Sequence, residues 1–217
     1  RVSSVNIVSA EFVTSACDNT GLPEPAEPQV VFVGRSNVGK SSLINALACR
    51  RIARTSRVPG KTRLINVYKL RLAKTRQGLS SIHLLDLPGY GFSRGSRNQA
   101  TSFAELTDSY FGQFTVNTKL QPHSVEQHYE ANVMLLIDSR HLGLASDLDA
   151  LDWLHSQGCR TVVIGTKVDT LSSAQRNRAD KALEESFGTS GLFVSAKTGK
   201  GMNELWKTII AMNTPQP

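Results

Sequence analysis

The chain has 217 residues, 40% of them hydrophobic, which is enough for one well-buried domain and gives no reason for two. Its formal charge of +7 favours an anionic partner without naming one. Cys17, Cys49 and Cys159 show no zinc spacing and read as free thiols, no apolar run reaches the length of a membrane span, and no secretory signal opens the chain.

Residues 1–28 read as an irregular lead-in, with one short strand at Val5–Val8 and a Pro/Glu-rich stretch from Leu22 to Pro28. Val30-Val-Phe-Val33 suits a strand buried on both faces, and a helix begins at Ser41 after a glycine-rich turn. Ile65–Leu72 and Ile82–Leu85 read as strands joined by a polar hairpin, Ala73–Ser81. Asn98–Phe111 reads as helical, and Gly112–Glu130 is polar and takes no clear assignment. Val133–Ile137, Thr161–Ile164 and Leu192–Val194 are further buried-type strands, and Asp147–Ser156, Ser172–Phe187 and Met202–Met212 are helical. Such alternation implies a mostly parallel sheet covered on both faces.

Gly34-Arg-Ser-Asn-Val-Gly-Lys-Ser41 fits the G-x-x-x-x-G-K-[ST] pattern between a predicted strand and a predicted helix. Glycines let the backbone wrap phosphates that a Cβ would obstruct, and the helix N-terminus turns its amides to the anion. Lys40 is expected to reach the β- and γ-phosphates, and the Ser41 hydroxyl to hold Mg²⁺. Asp86-Leu-Pro-Gly89 ends another strand, so Asp86 suits the Mg²⁺ shell and the Gly89 amide suits the γ-phosphate.

Thr166-Lys-Val-Asp169 and Ser195-Ala-Lys197 each follow a predicted strand, at the end where ligands bind in such sheets. A carboxylate accepts two hydrogen bonds in a fork and matches the N1–H and N2–H₂ edge of guanine, a donor pair that adenine lacks. Asp169 is therefore the expected selector of the base, Lys167 would lay its stem along it, and the Ala196 amide would meet O6.

With these motifs in this order, the sequence resembles the EngB family of ribosome-biogenesis GTPases, within the translation-factor-type P-loop GTPases. The residues that carry the resemblance are Gly34–Asn45, Arg54–Asn66 and Asp86-Leu-Pro-Gly-Tyr-Gly-Phe92. It extends from about Val30 to the last helix. It implies a three-layer α/β/α fold with a roughly six-stranded, mostly parallel sheet and one antiparallel strand. Residues 29–213 would form a single GTP-binding domain. It also implies Mg²⁺-dependent hydrolysis of GTP to GDP and phosphate, and binding to the large ribosomal subunit or its precursor. The nucleotide set it implies is Gly34, Arg35, Ser36, Asn37, Val38, Gly39, Lys40, Ser41, Ser42, Thr62, Asp86, Gly89, Thr166, Lys167, Asp169, Ser195, Ala196 and Lys197. Thr62 would close on Mg²⁺ and the γ-phosphate, beside Ser41 and Asp86 as metal ligands. Lys40, Thr62 and Gly89 would serve the reaction, and Asn37 resembles the position found in K⁺-stimulated relatives.

The sequence departs from the family pattern at three places, one of them the polar stretch Gly112–Glu130, which reads as longer than the corresponding family loop. Thr166 stands where the guanine motif usually begins with Asn, and its hydroxyl is expected to keep part of the bridge to the P-loop. Tyr90 stands where many small GTPases place a water-orienting Gln, so hydrolysis is expected to be slow without a partner. Arg50–Arg63 holds six basic residues in 14, and Arg94 and Arg97 lie near Tyr90 and Phe92. Basic side chains with aromatics suit RNA, the alternative being a solvated basic loop over a packed Phe92. His83 reads as a core or cross-strand residue, Trp153 and Trp206 as core, and Asp138 as structural.

The expected role is a nucleotide-switched assembly factor, monomeric and off the membrane. It would work in the cytoplasm, or in an organelle matrix if a targeting segment precedes Arg1. The alternative is an RNA-binding module that GTP stabilises with negligible turnover. An ATP phosphotransferase is disfavoured by Asp169 and Ser195–Lys197, and a membrane-remodelling GTPase by the lack of a stalk or lipid motif.

Overall fold

The central strand β2, Gln29–Gly34, is buried along its whole length. It is hydrogen-bonded in parallel to β4, Ser81–Asp86, on one side and to β5, Asn132–Asp138, on the other. Alternate residues therefore enter opposite cores, which is why the run is apolar throughout rather than alternating. Val30 and Phe32 join Met134 and Leu136 on one face, while Val31 and Val33 join Val133, Leu135 and Ile137 on the other. This computed structural model describes residues 5–55, 64–73, 78–90, 107–114, 130–188 and 191–214.

The described strands form one seven-stranded sheet in the order β1-β3-β4-β2-β5-β6-β7. Here β1 is Ile7–Ala16, β3 is Ile65–Leu72, β6 is Arg160–Thr166 and β7 is Leu192–Phe193. Among them β3 alone runs against its neighbours, and every other pairing is parallel. Helices α1, Lys40–Ala48, and α5, Met202–Met212, cover the first face with Leu43, Ile44, Leu47, Leu205, Trp206 and Ile209. The helical residues 107–114 (α2), α3, Ala145–Ser156, and α4, Ser173–Phe187, cover the second with Tyr110, Phe111, Leu151, Leu154, Leu183 and Phe187. Three layers result, with apolar surface removed from water on both sides of the sheet. Among the described residues, no helix is long and apolar enough to cross a membrane.

One expectation is corrected. The lead-in is not irregular beyond Val8: it carries the ten-residue strand β1, antiparallel to β3 at the sheet edge, which makes the seventh strand. The register slips between Ile7 and Ser9 and again between Phe12 and Thr14. Each bulge inserts one residue, breaks the two-residue alternation and leaves Val8 and Val13 exposed. The hydrophobic pattern of a strand is lost, although its pairing is kept.

Other described boundaries agree to within two residues, except that the second helix continues three residues past Phe111. Helix α4 is capped by a reciprocal pair, in which the Gln175 amide donates to the Ser172 hydroxyl and the Gln175 side chain accepts from the Ser172 amide. Trp206 is fully buried, and Trp153 packs edge-on against Phe111 with ring centroids 5.4 Å apart. His83 is buried in β4, its Nδ1 3.5 Å from a Glu27 carboxylate oxygen, and burial lowers its pKa. The stretches 98–106 and 115–129, most of the expected second helix and of the unassigned polar segment, lie outside the described residues.

Candidate functional site

Parallel pairing in register brings Gly34, Asp86, Asp138 and Thr166 to the same edge of the sheet, because each ends its strand there. The turn from Gly34 to Lys40 opens at that edge. A Cβ on Gly34 would lie 2.7 Å from the Leu136 carbonyl oxygen, so no side chain fits. Asn37 (φ 63°) and Gly39 (φ 113°) take left-handed backbone, which curls the turn. Helix α1 then starts with Lys40, Ser41 and Ser42. No side chain caps it and no acid lies in its first turn, which leaves its amides to an anion.

Two opposite charges are buried at the foot of this turn. Lys40 Nζ donates to the Gly34 carbonyl at 3.2 Å, and burial lowers its pKa while the charge of Asp86 opposes the shift. Burial raises the pKa of Asp86 against the pull of Lys40 and of a hydrogen bond that Ser41 Oγ donates to Oδ2 at 3.2 Å. The other carboxylate oxygen, Oδ1, is buried with no hydrogen-bond partner among the described residues. An unsatisfied buried carboxylate oxygen is costly, and a divalent cation beside Ser41 and Asp86 would satisfy it, so the donor set fits Mg²⁺.

Gly89 lies directly over the turn: a Cβ there would sit 2.8 Å from the Ser36 amide nitrogen. Next to it, Tyr90 bridges Arg35 in parallel fashion, and its carbonyl accepts from the Ser36 amide at 3.3 Å. The Tyr90 side chain runs to α3, where its hydroxyl donates to Asp147 Oδ1 at 2.8 Å.

The second half of the site is tied to the first through backbone carbonyls. Thr166 Oγ1 lies 2.7 Å from the Val38 carbonyl oxygen and 3.0 Å from that of Ile137. Lys167 (φ 60°) donates from Nζ to the Asn37 carbonyl at 2.7 Å and to Asp138 Oδ2 at 2.9 Å. Burial alone would raise the pKa of Asp138, but hydrogen bonds from Arg140 and Lys167 outweigh it and hold the carboxyl well below the usual range. Asp169 Oδ1 accepts from the buried Ser195 hydroxyl at 2.7 Å, which in turn accepts from the Thr198 amide at 3.1 Å. The Val168 amide donates to the Val194 carbonyl, so the two loops form one wall, with Ala196 half-buried and Lys197 exposed beside it.

All the site residues expected from sequence meet at this edge except Thr62, which lies outside the described residues with Arg57, Lys61, Arg63, Phe92, Arg94 and Arg97. Arg50, Arg51 and Arg54 are exposed on the loop after α1. Three further residues support the site, of which the sequence reading singles out Asp138 alone, as structural. Asn45 accepts from the Ile52 and Ala53 amides through Oδ1 and donates to the Ala53 carbonyl. Asp138 anchors Lys167, and Asp147 anchors Tyr90. A free-standing acid at a strand end was the available signal for Asp138, and Asp147 carried none.

The pattern of the 50S ribosome-binding GTPase family matches residues 29–167. The probable GTP-binding protein EngB of Chlorobaculum tepidum is 35% identical over 209 residues, spanning 94% of this chain and 97% of its own. The protein of the same name from Kosmotoga olearia is 36% identical over 208 residues, spanning 94% and 98%. Among solved structures, Aquifex aeolicus Era bound to GDP·AlF4⁻ superposes with a TM-score of 0.67 at 20% identity, over 87% of this chain and 57% of that one. A crystal structure of a probable EngB gives 0.56 at 22% identity, over 85% and 97%. At such identities the solved structures share the fold, while the sequence relatives share nearly their whole length with it: the chain belongs to the EngB family of P-loop GTP-binding proteins.

Proposed function

We propose that this protein hydrolyses GTP to GDP and phosphate and acts as a nucleotide-switched assembly factor for the large ribosomal subunit. The observation that carries the nucleotide reading is the pair of bonds from Thr166 and Lys167 to the Val38 and Asn37 carbonyls. They fix the Asp169–Ser195 wall at a set place relative to the phosphate turn, which is what reading a base and a phosphate chain together requires. Asp169 selects guanine, its position held by Ser195. Lys40 and the α1 amides hold the phosphates, and Ser41, Asp86 and Thr62 would hold Mg²⁺, which when bound neutralises charge on the phosphates. The Gly89 amide faces the terminal phosphate. The Tyr90 hydroxyl is engaged with Asp147, so it does not orient water, and turnover without a partner is slow.

The ribosomal target is supported by the matched family's description and by the exposed Arg50, Arg51 and Arg54 beside the site. The protein works as a monomer where ribosomes are built, in the cytoplasm or an organelle matrix. Co-sedimentation with isolated subunits tests the target: a non-hydrolysable GTP analogue should drive binding to the large subunit, and GDP should not. Absence of binding in both states would remove the ribosome from the reading. Asn37 is proposed to sit beside a K⁺, and equal turnover in KCl and NaCl would remove that part.

Guanine selection has its own test. Asp169→Asn replaces an acceptor of two donors by a group that offers a donor to the C2 carbonyl of xanthine. GTP affinity should fall roughly 10²-fold, with xanthosine triphosphate gaining, as expected for loss of charge-assisted bonds. Unchanged competition by both nucleotides would move base selection elsewhere.

A further inference from the structure

We propose that Asp147 is a positioning residue for the turn facing the terminal phosphate: through the Tyr90 hydroxyl, it fixes the Gly89–Tyr90 backbone against the P-loop. The inference rests on reading this edge as a GTP site.

Tyr90 is held at both ends. Its main chain is bridged to Arg35 and accepts from the Ser36 amide at 3.3 Å, and its hydroxyl donates to Asp147 Oδ1 at 2.8 Å. Gly89, one residue back, lies so close to Ser36 that a Cβ would come within 2.8 Å of its amide nitrogen and its hydroxyl. Where Tyr90 goes, Gly89 must go with it. The 3.3 Å backbone bond is long, so the side-chain anchor is the shorter of the two restraints on this residue.

The character of Asp147 argues for a role beyond holding α3. Only 1% of the residue is exposed, and its second carboxylate oxygen is buried with no hydrogen-bond partner among the described residues. Burial raises its pKa and the like charge of Asp138 adds to the rise, against the Tyr90 hydrogen bond and the charge of Arg35, which favour the ionised form. A buried carboxylate half satisfied in this way stabilises a fold less than an apolar residue of its size would. What it supplies is one short bond to a tyrosine that leads straight into the nucleotide site. Tyr90 thus acts as a strut from α3 to the γ-phosphate side, at the position where other GTPases place a residue that handles water.

The consequence is selective. The turn Gly34–Ser41 serves any guanine nucleotide, whereas Gly89 meets only the terminal phosphate. Loss of the strut should weaken a GTP analogue and spare GDP. The test is titration of GDP and a non-hydrolysable GTP analogue, with Mg²⁺, into the full chain and its Tyr90→Phe, Asp147→Ala and Asp147→Asn variants. Melting temperatures without nucleotide are measured alongside. Tyr90→Phe and Asp147→Ala should each lower the analogue-to-GDP affinity ratio about tenfold, the size of one charge-assisted hydrogen bond. Asp147→Asn keeps an acceptor oxygen without its charge and should lose less of the ratio than Asp147→Ala, and the double variant Tyr90→Phe/Asp147→Ala should lose no more than either single one. An unchanged ratio, or equal loss of both nucleotides, overturns the inference while leaving the nucleotide site standing. A wild-type chain that binds neither nucleotide overturns both. If Asp147→Ala does not fold, Tyr90→Phe decides alone, since it removes a single oxygen.

Discussion

Thr166 Oγ1 lies within reach of two carbonyls, those of Val38 and Ile137, yet a hydroxyl has one proton to give. The shorter contact, 2.7 Å to Val38, joins the base wall to the phosphate turn, and the longer joins it to β5. Thr166→Val keeps the shape and removes the donor, leaving a buried carbonyl unmet. It should cost about 1–3 kcal/mol in urea unfolding, with a matching loss of GDP affinity. A loss of stability with unchanged GDP affinity would mean that the bond serves the sheet alone. Chemistry at this scale was legible in the sequence where a motif is local: Gly34–Ser41 and Thr166–Asp169 each specify their own turn. It was not legible where a side chain is completed from afar. Lys167 meets Asp138 across 29 positions, and Tyr90 meets Asp147 across 57. No spacing rule links either pair, and both acids sit in stretches that read as ordinary strand end and helix start.

The loop after α1 shows what an element end can impose on its neighbour. Helix α1 stops at Cys49, in left-handed backbone (φ 52°), and the chain then runs out through Arg50 and Arg51. Asn45, still inside the helix, accepts from the Ile52 and Ala53 amides and donates to the Ala53 carbonyl, all at 2.8–2.9 Å. Asn45→Ala should cost about 1–3 kcal/mol in total. Hydrogen exchange should show Ile52 and Ala53 losing protection while the α1 amides keep theirs, and protection retained at 52–53 would show that the buried Ala53 holds the loop by packing. Among the elements, the strands buried on both faces were readable because an unbroken apolar run has few alternatives. Strand β1 was not, because its two bulges scramble the alternation and its place at the sheet edge demands burial on only part of its length. Helix α4 was readable to within one residue because Ser172 and Gln175 spell out its cap.

At the scale of the whole molecule, the strand order β1-β3-β4-β2-β5-β6-β7 makes the site a property of the sheet rather than of any segment. Parallel alternation of strands and helices was visible in the chain, whereas the order of the strands is a tertiary choice that no local pattern carries. Its effect is to gather residues from Gly34 to Lys197 at one edge, so a nucleotide held there as proposed would touch β2, β4 and β6 and the loops beyond them at once. A ligand with that reach binds only the folded sheet and must stabilise all of it. GDP at a hundred times its dissociation constant adds about 2.7 kcal/mol to the folded state. For a chain of this length that raises the melting temperature by roughly 5–11 °C, at about 2–4 °C per kcal/mol. ADP at the same concentration should leave the melting temperature unmoved, because Asp169 presents acceptors where adenine offers no matching donor pair. Equal shifts with both nucleotides would mean that binding energy comes from the phosphate turn alone, and that the Asp169–Ser195 wall does not read the base. A shift with neither would take the nucleotide from this edge, whatever the family resemblance of the chain.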